Sequence, residues 1–274
     1  MSKTKPAACV AITGGATGIG FALAKALGEH GAKIVIGEPR GDVLDHAVET
    51  LRASGVRAQA TGLDVTLDAS VERFASFAWT AHGEGGIDLL INNAGVGAPN
   101  ASFLDANWAD IQKVLDVNLN GVMRCCRAIA PRMIARGSPA SIYNVASENA
   151  FFTAAPNMAS YVASKHAVYG LSDALNLETP DFLHVGVICP GFVGTPMIPE
   201  ALRGLAMAPD AFAARVVPQI AAREPVVVSH PYNRVRLEAR HDALMRAFET
   251  YAPREEGDQA HDVPTVIERL SKAR

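Results

Sequence analysis

The feature that most constrains the fold of this 274-residue chain is an alternation of short apolar runs with longer amphipathic stretches. The apolar runs have the length of strands that are buried on both faces, and the stretches between them repeat with the period of a helix. This order predicts βαβ crossovers, which place the strands parallel in one sheet with helices on both faces. We therefore expect an α/β fold built on a doubly wound parallel sheet.

The same patterns give approximate element boundaries. Strands are predicted at residues 8–12, 33–36, 56–60 (the weakest), 88–91, 141–145, 185–189 and 225–229. Helices are predicted at residues 18–30, 42–53, 68–81, 108–135, 158–177 and 233–248. No linker or repeat divides the chain, so we expect residues 1–250 to form a single domain. The charged, proline-bearing residues 251–274 are predicted to be a surface-lying or partly mobile tail.

Charge and composition argue against several classes of protein. The net charge of −3 provides no basic surface for nucleic acid and no polybasic membrane signal. The sequence has no signal-peptide pattern and no stretch long enough to span a bilayer, so we expect a cytoplasmic protein with no nucleic-acid or membrane partner. The four cysteines are adjacent on a helix or lie in apolar runs, and no Cys-x-x-Cys pair occurs. We therefore expect buried thiols, with no metal and no disulfide framework.

A glycine-rich turn follows the first predicted strand and opens the first predicted helix, with the sequence Thr13-Gly14-Gly15-Ala16-Thr17-Gly18-Ile19-Gly20. Glycines at such a junction let the backbone approach a pyrophosphate, which then lies at the positive end of the helix. The spacing of Gly14, Gly18 and Gly20 is a variant of the dinucleotide fingerprint. A plain tight turn is the alternative for the glycines alone, but the strand before them and the helix after them favour a nucleotide site.

The end of the second predicted strand bears on the choice of nucleotide. Glu38 lies roughly 20 positions past the glycines, where a carboxylate accepts hydrogen bonds from the ribose diol of NAD. The same carboxylate repels the 2′-phosphate of NADP. Arg40 keeps NADP open as the less favoured alternative, because a guanidinium pairs with phosphate. The sequence therefore favours NAD.

A second chemical signal is the pair Tyr161 and Lys165, four residues apart in a predicted helix, with Ser147 upstream. Residues i and i+4 share one helix face. A nearby ammonium favours the charged form of a phenol and lowers its pKa, so Tyr161 is predicted to exchange a proton at neutral pH. The Tyr-x-x-x-Lys spacing also occurs by chance, and in that case the two side chains simply lie on a helix surface.

Taken in order, these motifs resemble those of the short-chain dehydrogenase/reductase family, in its compact single-domain branch with a Rossmann-like fold. The resemblance covers residues 8–195. It implies hydride transfer with Tyr161 as general acid and base, Lys165 lowering the pKa of Tyr161 and holding the nicotinamide ribose, and Ser147 binding the substrate oxygen. Asn118 matches the asparagine that positions a water in the proton relay of the family.

The resemblance also implies a set of cofactor-binding residues. The glycine turn, the acidic residue Glu38, the adenine segment after the third strand, the motif after the fourth strand and the loop after the sixth strand all contribute. With the proton-transfer pair they are Gly14, Thr17, Gly18, Ile19, Gly20, Glu38, Asp64, Val65, Asn92, Ala94, Gly95, Tyr161, Lys165, Pro190, Gly191, Val193 and Thr195.

The substrate region is the most variable part of the family. Residues 192–219 are rich in Met, Leu, Phe and Ala, among them Phe212, and their position predicts a lid over an apolar or aromatic substrate. Packing on the core or on a subunit partner is the alternative for any one of them. The residues expected to contact the substrate are Ser147, Phe151, Phe152, Met158, Tyr161, Phe192 and Met197.

The sequence thus predicts an NAD-dependent oxidoreductase that interconverts a secondary alcohol and a ketone. The substrate is expected to be a small molecule that is apolar or aromatic. A catalytically inactive NAD-sensing protein on the same fold is the alternative, and a lyase or epimerase using NAD transiently is disfavoured by the compact glycine spacing. Family members form homodimers or homotetramers through helices that correspond to residues 108–135 and 158–177, so we expect a homo-oligomer. His230 is expected to be a structural residue at a strand end, with a catalytic role as the less favoured alternative.

Overall fold

The computed structural model describes residues 9–83, 85–99 and 101–272. These residues form seven strands and ten α-helices in an alternating order. The strands are β1 Cys9–Thr13, β2 Lys33–Glu38, β3 Ala58–Gly62, β4 Leu89–Asn92, β5 Ala140–Val145, β6 Leu183–Cys189 and β7 Val226–Val228. Ala8, where the first strand was predicted to begin, lies outside the described residues, as do residues 273 and 274 of the predicted tail.

All seven strands pair in parallel in the order β3-β2-β1-β4-β5-β6-β7. The order reverses between β1 and β4, so two βαβ halves diverge from that point. The crevice at the carboxyl ends of the strands beside such a reversal is where ligands bind in open α/β sheets. The predicted doubly wound, Rossmann-like parallel sheet is confirmed.

The helices cover both faces of this sheet. They are α1 Gly18–Glu29, α2 Gly41–Ala53, α3 Asp68–Thr80, α4 Trp108–Leu115, α5 Gly121–Arg136, α6 Ala159–Glu178, α7 Glu200–Arg203, α8 Pro209–Ala221, α9 Arg234–Tyr251 and α10 Val263–Lys272. Over the described residues, no helix combines the length and the apolar character needed to cross a membrane.

Two apolar clusters, one on each face of the sheet, form the core. In β1, Val10 and Ile12 belong to one cluster, with α1, α2 and α8, whereas Ala11 belongs to the other, with α3, α5 and α6. Successive side chains of a strand point to opposite faces, which explains this division. Strands buried on both sides therefore read as continuous apolar runs in the sequence.

The predicted helix 108–135 is interrupted. Its residues form α4 and α5 with a π-helical turn, Asp116–Asn120, between them. Apolar periodicity does not reveal such a turn, because the chain remains helical on both sides of it. π-turns inside α-helices are frequent at functional sites.

The described residues form two compact units, one that ends at Pro231 and a second that begins at Tyr232. The single domain expected for residues 1–250 stays a prediction. The second unit contains α9 and α10. Helical structure therefore occupies much of the predicted tail.

Candidate active site

The carboxyl edge of the sheet gathers the residues that the sequence singles out. In a parallel sheet, all strands end at the same edge, so segments far apart in the chain become neighbours. In the spatial order of the strands, this edge presents Asp64 and Val65 after β3, Glu38 in β2, the glycine turn after β1, Ala94 and Gly95 after β4, Ser147 after β5 and Pro190 after β6.

The glycine turn packs too closely to accept side chains. Gly14 and Gly18 have φ values of +60° and +55°, which side chains rarely tolerate. A Cβ on Gly20 would lie 2.3 Å from the carbonyl oxygen of Gly14. Thr17, the N-cap of α1, makes no capping hydrogen bond from its side chain. The backbone at this helix N-terminus therefore offers a cradle of the kind that binds a diphosphate.

Asn93 ties the glycine turn to β4, and sequence reasoning did not select it. Its Nδ2 donates to the carbonyl oxygens of Thr13 at 3.0 Å and Gly14 at 2.8 Å. The Thr13 hydroxyl accepts from the backbone N–H groups of Asn93 and Ala94, both at 3.0 Å. These four hydrogen bonds join the residues directly after β4 to the glycine turn.

Asn92 was predicted to bind the cofactor, but its side chain is buried among side chains of the sheet and α5. Its Nδ2 donates to Asn144 Oδ1 at 2.8 Å and contacts Cys126 Sγ at 3.3 Å. Asn144 donates in turn to Ser172. The Asn92 amide nitrogen is thus used within the sheet and α5, while its Oδ1 is buried with no hydrogen-bond partner among the described residues. Its role in cofactor binding stays a prediction.

The acidic residue at the end of β2 forms an ion pair. Glu38 is buried, and its Oε1 lies 2.6 Å from Nε of the exposed Arg40. Next to it on the edge, Asp64 Oδ1 accepts from the backbone N–H and the hydroxyl of Thr66, at 2.9 and 2.7 Å. The buried Val65 follows. The edge near β2 and β3 thus presents two ordered carboxylates.

Ser147, Tyr161 and Lys165 come together beyond the ends of β5 and β6. The Ser147 side chain lies close enough to the Tyr161 phenol to lower the pKa of that phenol. The Lys165 ammonium lies 5.5 Å from the centroid of the Tyr161 ring and donates to the Val145 carbonyl at 2.8 Å. Ser147 is buried and accepts from the Asn149 backbone N–H at 3.1 Å. One helix face and one strand end therefore place a hydroxyl, a phenol and an ammonium in contact.

The electrostatics of this trio differ from the sequence-based expectation. Burial raises the pKa of Tyr161, and the nearby Ser147 side chain opposes that rise. Burial also lowers the pKa of Lys165 to about 8. The pKa of Tyr161 therefore moves in the opposite direction to the expected lowering by Lys165, because desolvation disfavours the charged form of both groups.

Asn118 lies in the π-helical turn, fully buried. Its amide makes two hydrogen bonds to the backbone of Val96, at 2.8 and 3.0 Å, and a third to the Ser164 hydroxyl at 3.2 Å. Asn118 Oδ1 and Lys165 Nζ both border Gly95, 3.4 and 3.7 Å from where its Cβ would be. The turn therefore brings Asn118 to the side of the site where the Lys165 ammonium lies, and the Ser164 hydroxyl helps to hold it.

The loop after β6 connects the two halves of the edge. The Pro190 carbonyl accepts from the backbone N–H of Glu148 at 2.9 Å and from the Ser147 hydroxyl at 3.4 Å. Further along, Thr195 lies 3.1 Å from the Cβ position of Gly18. The buried Val193 forms a parallel bridge with Met207. The loop thus runs from the serine side to the glycine turn.

The predicted substrate residues have mixed environments. Phe152 is buried, and Phe151 packs edge-on against Tyr169 at 5.3 Å. Met158 is the half-buried N-cap of α6. Phe192 and Met197 are 45% and 50% exposed, respectively.

Part of the segment predicted as a lid packs in the core, which is the alternative that the sequence left open. Phe212 is completely buried in the core cluster, and α8 packs against α1. The second half of the predicted lid is therefore a helix of the sheet layer, because its apolar side chains serve packing. Residues 192–208 remain as the candidate lid.

The cysteines are thiols in apolar surroundings. All four are buried and unpaired. Burial raises the pKa of Cys126 and of Cys189 to about 12, which keeps both protonated at neutral pH. In the part of the chain that the structure describes, no group of three His, Cys, Asp or Glu side chains is placed to hold a metal ion.

Comparison with known proteins agrees with this geometry. The sequence profile of the short chain dehydrogenase family matches residues 8–205, which include the whole carboxyl edge described above. The chain belongs to the short-chain dehydrogenase family of oxidoreductases.

Three similar proteins illustrate the breadth of the family. The chain is 39% identical over 193 residues to 1-deoxy-11-beta-hydroxypentalenate dehydrogenase of Streptomyces avermitilis, covering 68% of each chain. A short-chain dehydrogenase/reductase of Burkholderia phymatum in complex with NAD superposes with a TM-score of 0.80 at 28% identity, over 90% of this chain and 97% of the other. A variant of the actinorhodin polyketide ketoreductase with NADPH gives a TM-score of 0.65 at 31% identity, over 72% and 75%.

Proposed function

We propose that this protein is an NAD-dependent oxidoreductase that interconverts a secondary alcohol and a ketone. The observation that carries the proposal is the contact of Ser147, Tyr161 and Lys165 at the same sheet edge as the glycine turn. A proton-transfer group and a nucleotide cradle on one edge are the two parts that hydride transfer to a carbonyl requires.

The residues of the edge fit a dinucleotide. The cradle at Gly14, Gly18 and Gly20 would take the diphosphate, with Thr17 and Ile19 at the helix start. Glu38 would bind the adenosine ribose, and Asp64 with Val65 the adenine. Ala94, Gly95 and Lys165 would line the nicotinamide ribose, and the loop Pro190, Gly191, Val193 and Thr195 would meet the carboxamide. When bound, the nicotinamide supplies the hydride donor or acceptor.

The proton chemistry belongs to the side chains of this chain. Ser147 would hold the substrate oxygen and stabilise charge that develops on it. Tyr161 would give its proton to that oxygen in reduction and take it back in oxidation. Since burial raises its pKa, Tyr161 is protonated at neutral pH and prepared for reduction. Lys165 would stabilise the phenolate that remains, and Asn118 would hold a water between Lys165 and solvent.

The preference for NAD over NADP is a second part of the proposal. A buried carboxylate at Glu38 repels a 2′-phosphate, and its ion pair with Arg40 engages the guanidinium that would otherwise bind that phosphate. A member of the same family binds NADPH, so the nucleotide is decided by residues of this kind rather than by the fold.

The substrate proposed is an apolar or aromatic alcohol or ketone. Residues 192–208 expose several large apolar side chains next to the candidate site, namely Phe192, Met197, Leu202 and Leu205. Exposed apolar side chains on a segment beside a reactive centre favour burial of an apolar ligand. Phe151, Phe152 and Met158, which lie between Ser147 and Tyr161 in the chain, are proposed to complete the pocket.

A homo-oligomer, dimer or tetramer, is proposed on the helices that the family uses for assembly. Met123 and Ile134 on α5 are partly exposed, and Leu177 on α6 is 87% exposed. Exposed apolar residues on these two helices support an interface there. Light scattering coupled to size-exclusion chromatography tests this, and a monomer at micromolar concentration would contradict it.

A panel of secondary alcohols with NAD and of ketones with NADH tests the activity. We expect turnover, followed by nicotinamide absorbance, with oxidation rising steeply with pH because it requires deprotonated Tyr161. Tight NADH binding with no turnover on any member would instead support the inactive nucleotide-sensing alternative. Measuring each substrate with NADP and NADPH in parallel separates the activity from the nucleotide preference.

A further inference from the structure

The loop Pro190–Phe192 is held from the β7 side as well as from the β5 side. The backbone N–H of Gly191 lies 3.5 Å from the Ser229 hydroxyl, and that hydroxyl lies 2.8 Å from Nδ1 of His230. The other ring nitrogen of His230, Nε2, lies 3.1 Å from the Phe192 carbonyl. His230 thus contacts both ends of the dipeptide Gly191–Phe192, one of them through Ser229.

The chemistry of the groups fixes the direction of these hydrogen bonds. A carbonyl only accepts, so Nε2 of His230 carries the proton that it donates to Phe192. In the neutral ring, Nδ1 then accepts from the Ser229 hydroxyl, whose oxygen is left to accept from the Gly191 N–H. Burial lowers the pKa of His230 and Arg215 lowers it further, while the hydrogen bond to the Phe192 carbonyl opposes this change; the net lowering agrees with a neutral ring.

Hydrogen bonds to α8 hold residues 228 and 229, which precede His230. Ser229 is buried, and its carbonyl accepts from Arg215 of α8 at 2.5 Å. Gln219 of α8 makes two hydrogen bonds to the backbone of Val228, at 2.9 and 3.1 Å. These hydrogen bonds hold the end of β7 against α8. They therefore also fix the position of His230 relative to the loop.

Gly191 leaves no space for the loop to shift towards this support. A Cβ on Gly191 would lie 2.5 Å from Nδ1 of His230 and 2.5 Å from Oε2 of the buried Glu148. The imidazole and the carboxylate therefore meet over its Cα. Only glycine fits between them. The loop therefore lies in contact with the segment after β5 on one side and the segment after β7 on the other.

We propose that His230 is a positioning residue for hydride transfer, which acts through Ser229 and the loop Pro190–Phe192 to orient the nicotinamide ring. This inference rests on the proposed function, in which that loop meets the carboxamide. A displacement of about 1 Å at a reacting centre costs on the order of 100-fold in rate. His230 touches neither the substrate nor Tyr161 in this role; it sets where the ring lies.

The test compares His230→Ala, Ser229→Ala and the double variant with wild type. His230→Gln retains an amide N–H that can reach Phe192, and His30→Ala is the matched control. His30 is an exposed histidine that also contacts a carbonyl, that of Ala26 at 2.7 Å, but at the far end of α1. The readouts are kcat, the NADH dissociation constant, the isotope effect with nicotinamide-deuterated NADH, and amide hydrogen exchange of residues 191–194.

We expect His230→Ala to lower kcat about tenfold or more, with NADH affinity within about threefold, because the adenosine half is held elsewhere. The isotope effect should increase, and the double variant should cost little more than either single one, since the two residues act as a unit. His230→Gln should recover part of kcat. A purely structural role predicts a lower melting temperature with an unchanged isotope effect, and that result would overturn the inference.

Different results would overturn the inference and the proposed function. Absence of turnover in the wild-type protein overturns the proposed function. Amide exchange decides whether His230 holds the loop without any turnover: faster exchange at residues 191–194 in His230→Ala supports this role, and unchanged exchange contradicts it.

Discussion

At the scale of single residues, the buried Lys165 that the proposed chemistry requires lowers the stability of the folded chain. Its pKa in the folded chain is about 8, below the ordinary 10.5, because burial disfavours the ammonium. Below about pH 8 the folded chain therefore carries a cost that the unfolded chain does not. Between about 8 and 10.5 the unfolded chain binds the proton that the folded chain has released, so stability rises with pH in that window.

Lys165→Met should therefore be more stable than wild type at neutral pH, by up to roughly 3 kcal/mol less the lost hydrogen bond to Val145. This advantage should shrink as the pH rises towards 10.5, while activity is lost throughout. Urea unfolding at several pH values measures it. Lys113→Met, at an exposed position of α4, should leave the pH dependence unchanged. An advantage that does not change with pH would contradict the assignment.

Glu38 gives a second prediction at this scale. Glu38→Ser removes the buried carboxylate and frees Arg40, so the ratio of NADPH to NADH dissociation constants should fall about tenfold or more. Fluorescence titration with both nucleotides measures the ratio. Asp42→Ser removes an exposed carboxylate two residues beyond Arg40 and should leave the ratio near its wild-type value. An unchanged ratio in Glu38→Ser would show that Glu38 does not select the nucleotide.

Residue types and spacings were sufficient to place most of the candidate site at one edge, but not to give its electrostatics. The Tyr161 and Lys165 spacing predicts a shared helix face correctly. It does not predict that burial raises the pKa of Tyr161, since burial depends on β5, β6 and the loop around Pro190. The contacts of Asn93 with the glycine turn depend on Thr13 and Gly14, about 80 residues away in the chain, which no local pattern contains.

At the scale of elements, α1 illustrates how close packing determines sequence. Gly20→Ala would force a Cβ against the Gly14 carbonyl, and we expect a loss of roughly 1–3 kcal/mol together with weaker nucleotide binding. Gly170→Ala is the control, because a Cβ there meets nothing within 4 Å on α6. It should stabilise by roughly 0.5–1 kcal/mol. Chemical denaturation and NADH titration measure both, and equal effects would contradict the cradle.

Element boundaries were predicted closely where strands are buried on both faces, and less well where a local polar contact decides. The π-helical turn exists because Asn118 bonds to the backbone of Val96, which is 22 residues away in the chain. No window of apolar periodicity contains that contact. In the same way, the amphipathic residues of α8 suited a lid or a sheet-packing helix equally until Phe212 was seen in the core.

At the scale of the whole molecule, the two units contribute unequally to the core. Both apolar clusters are drawn from residues up to Val227. None of the residues of α9 and α10, all of which the structure describes, is buried. A chain that ends at Pro231 should therefore unfold cooperatively with a free energy within about 1 kcal/mol of the full chain. Loss of the cooperative urea transition would show that the second unit supplies part of the core.

The central claim is that the carboxyl edge of the sheet holds a site for hydride transfer with Tyr161 as its proton donor and acceptor. The most direct measurement is single-turnover and steady-state kinetics of Tyr161→Phe with the best substrate of the panel, beside a titration with NADH. We expect the rate to fall by at least about 1,000-fold, consistent with the loss of a general acid, while NADH affinity stays within about threefold. Turnover close to that of the wild type in Tyr161→Phe would contradict the account.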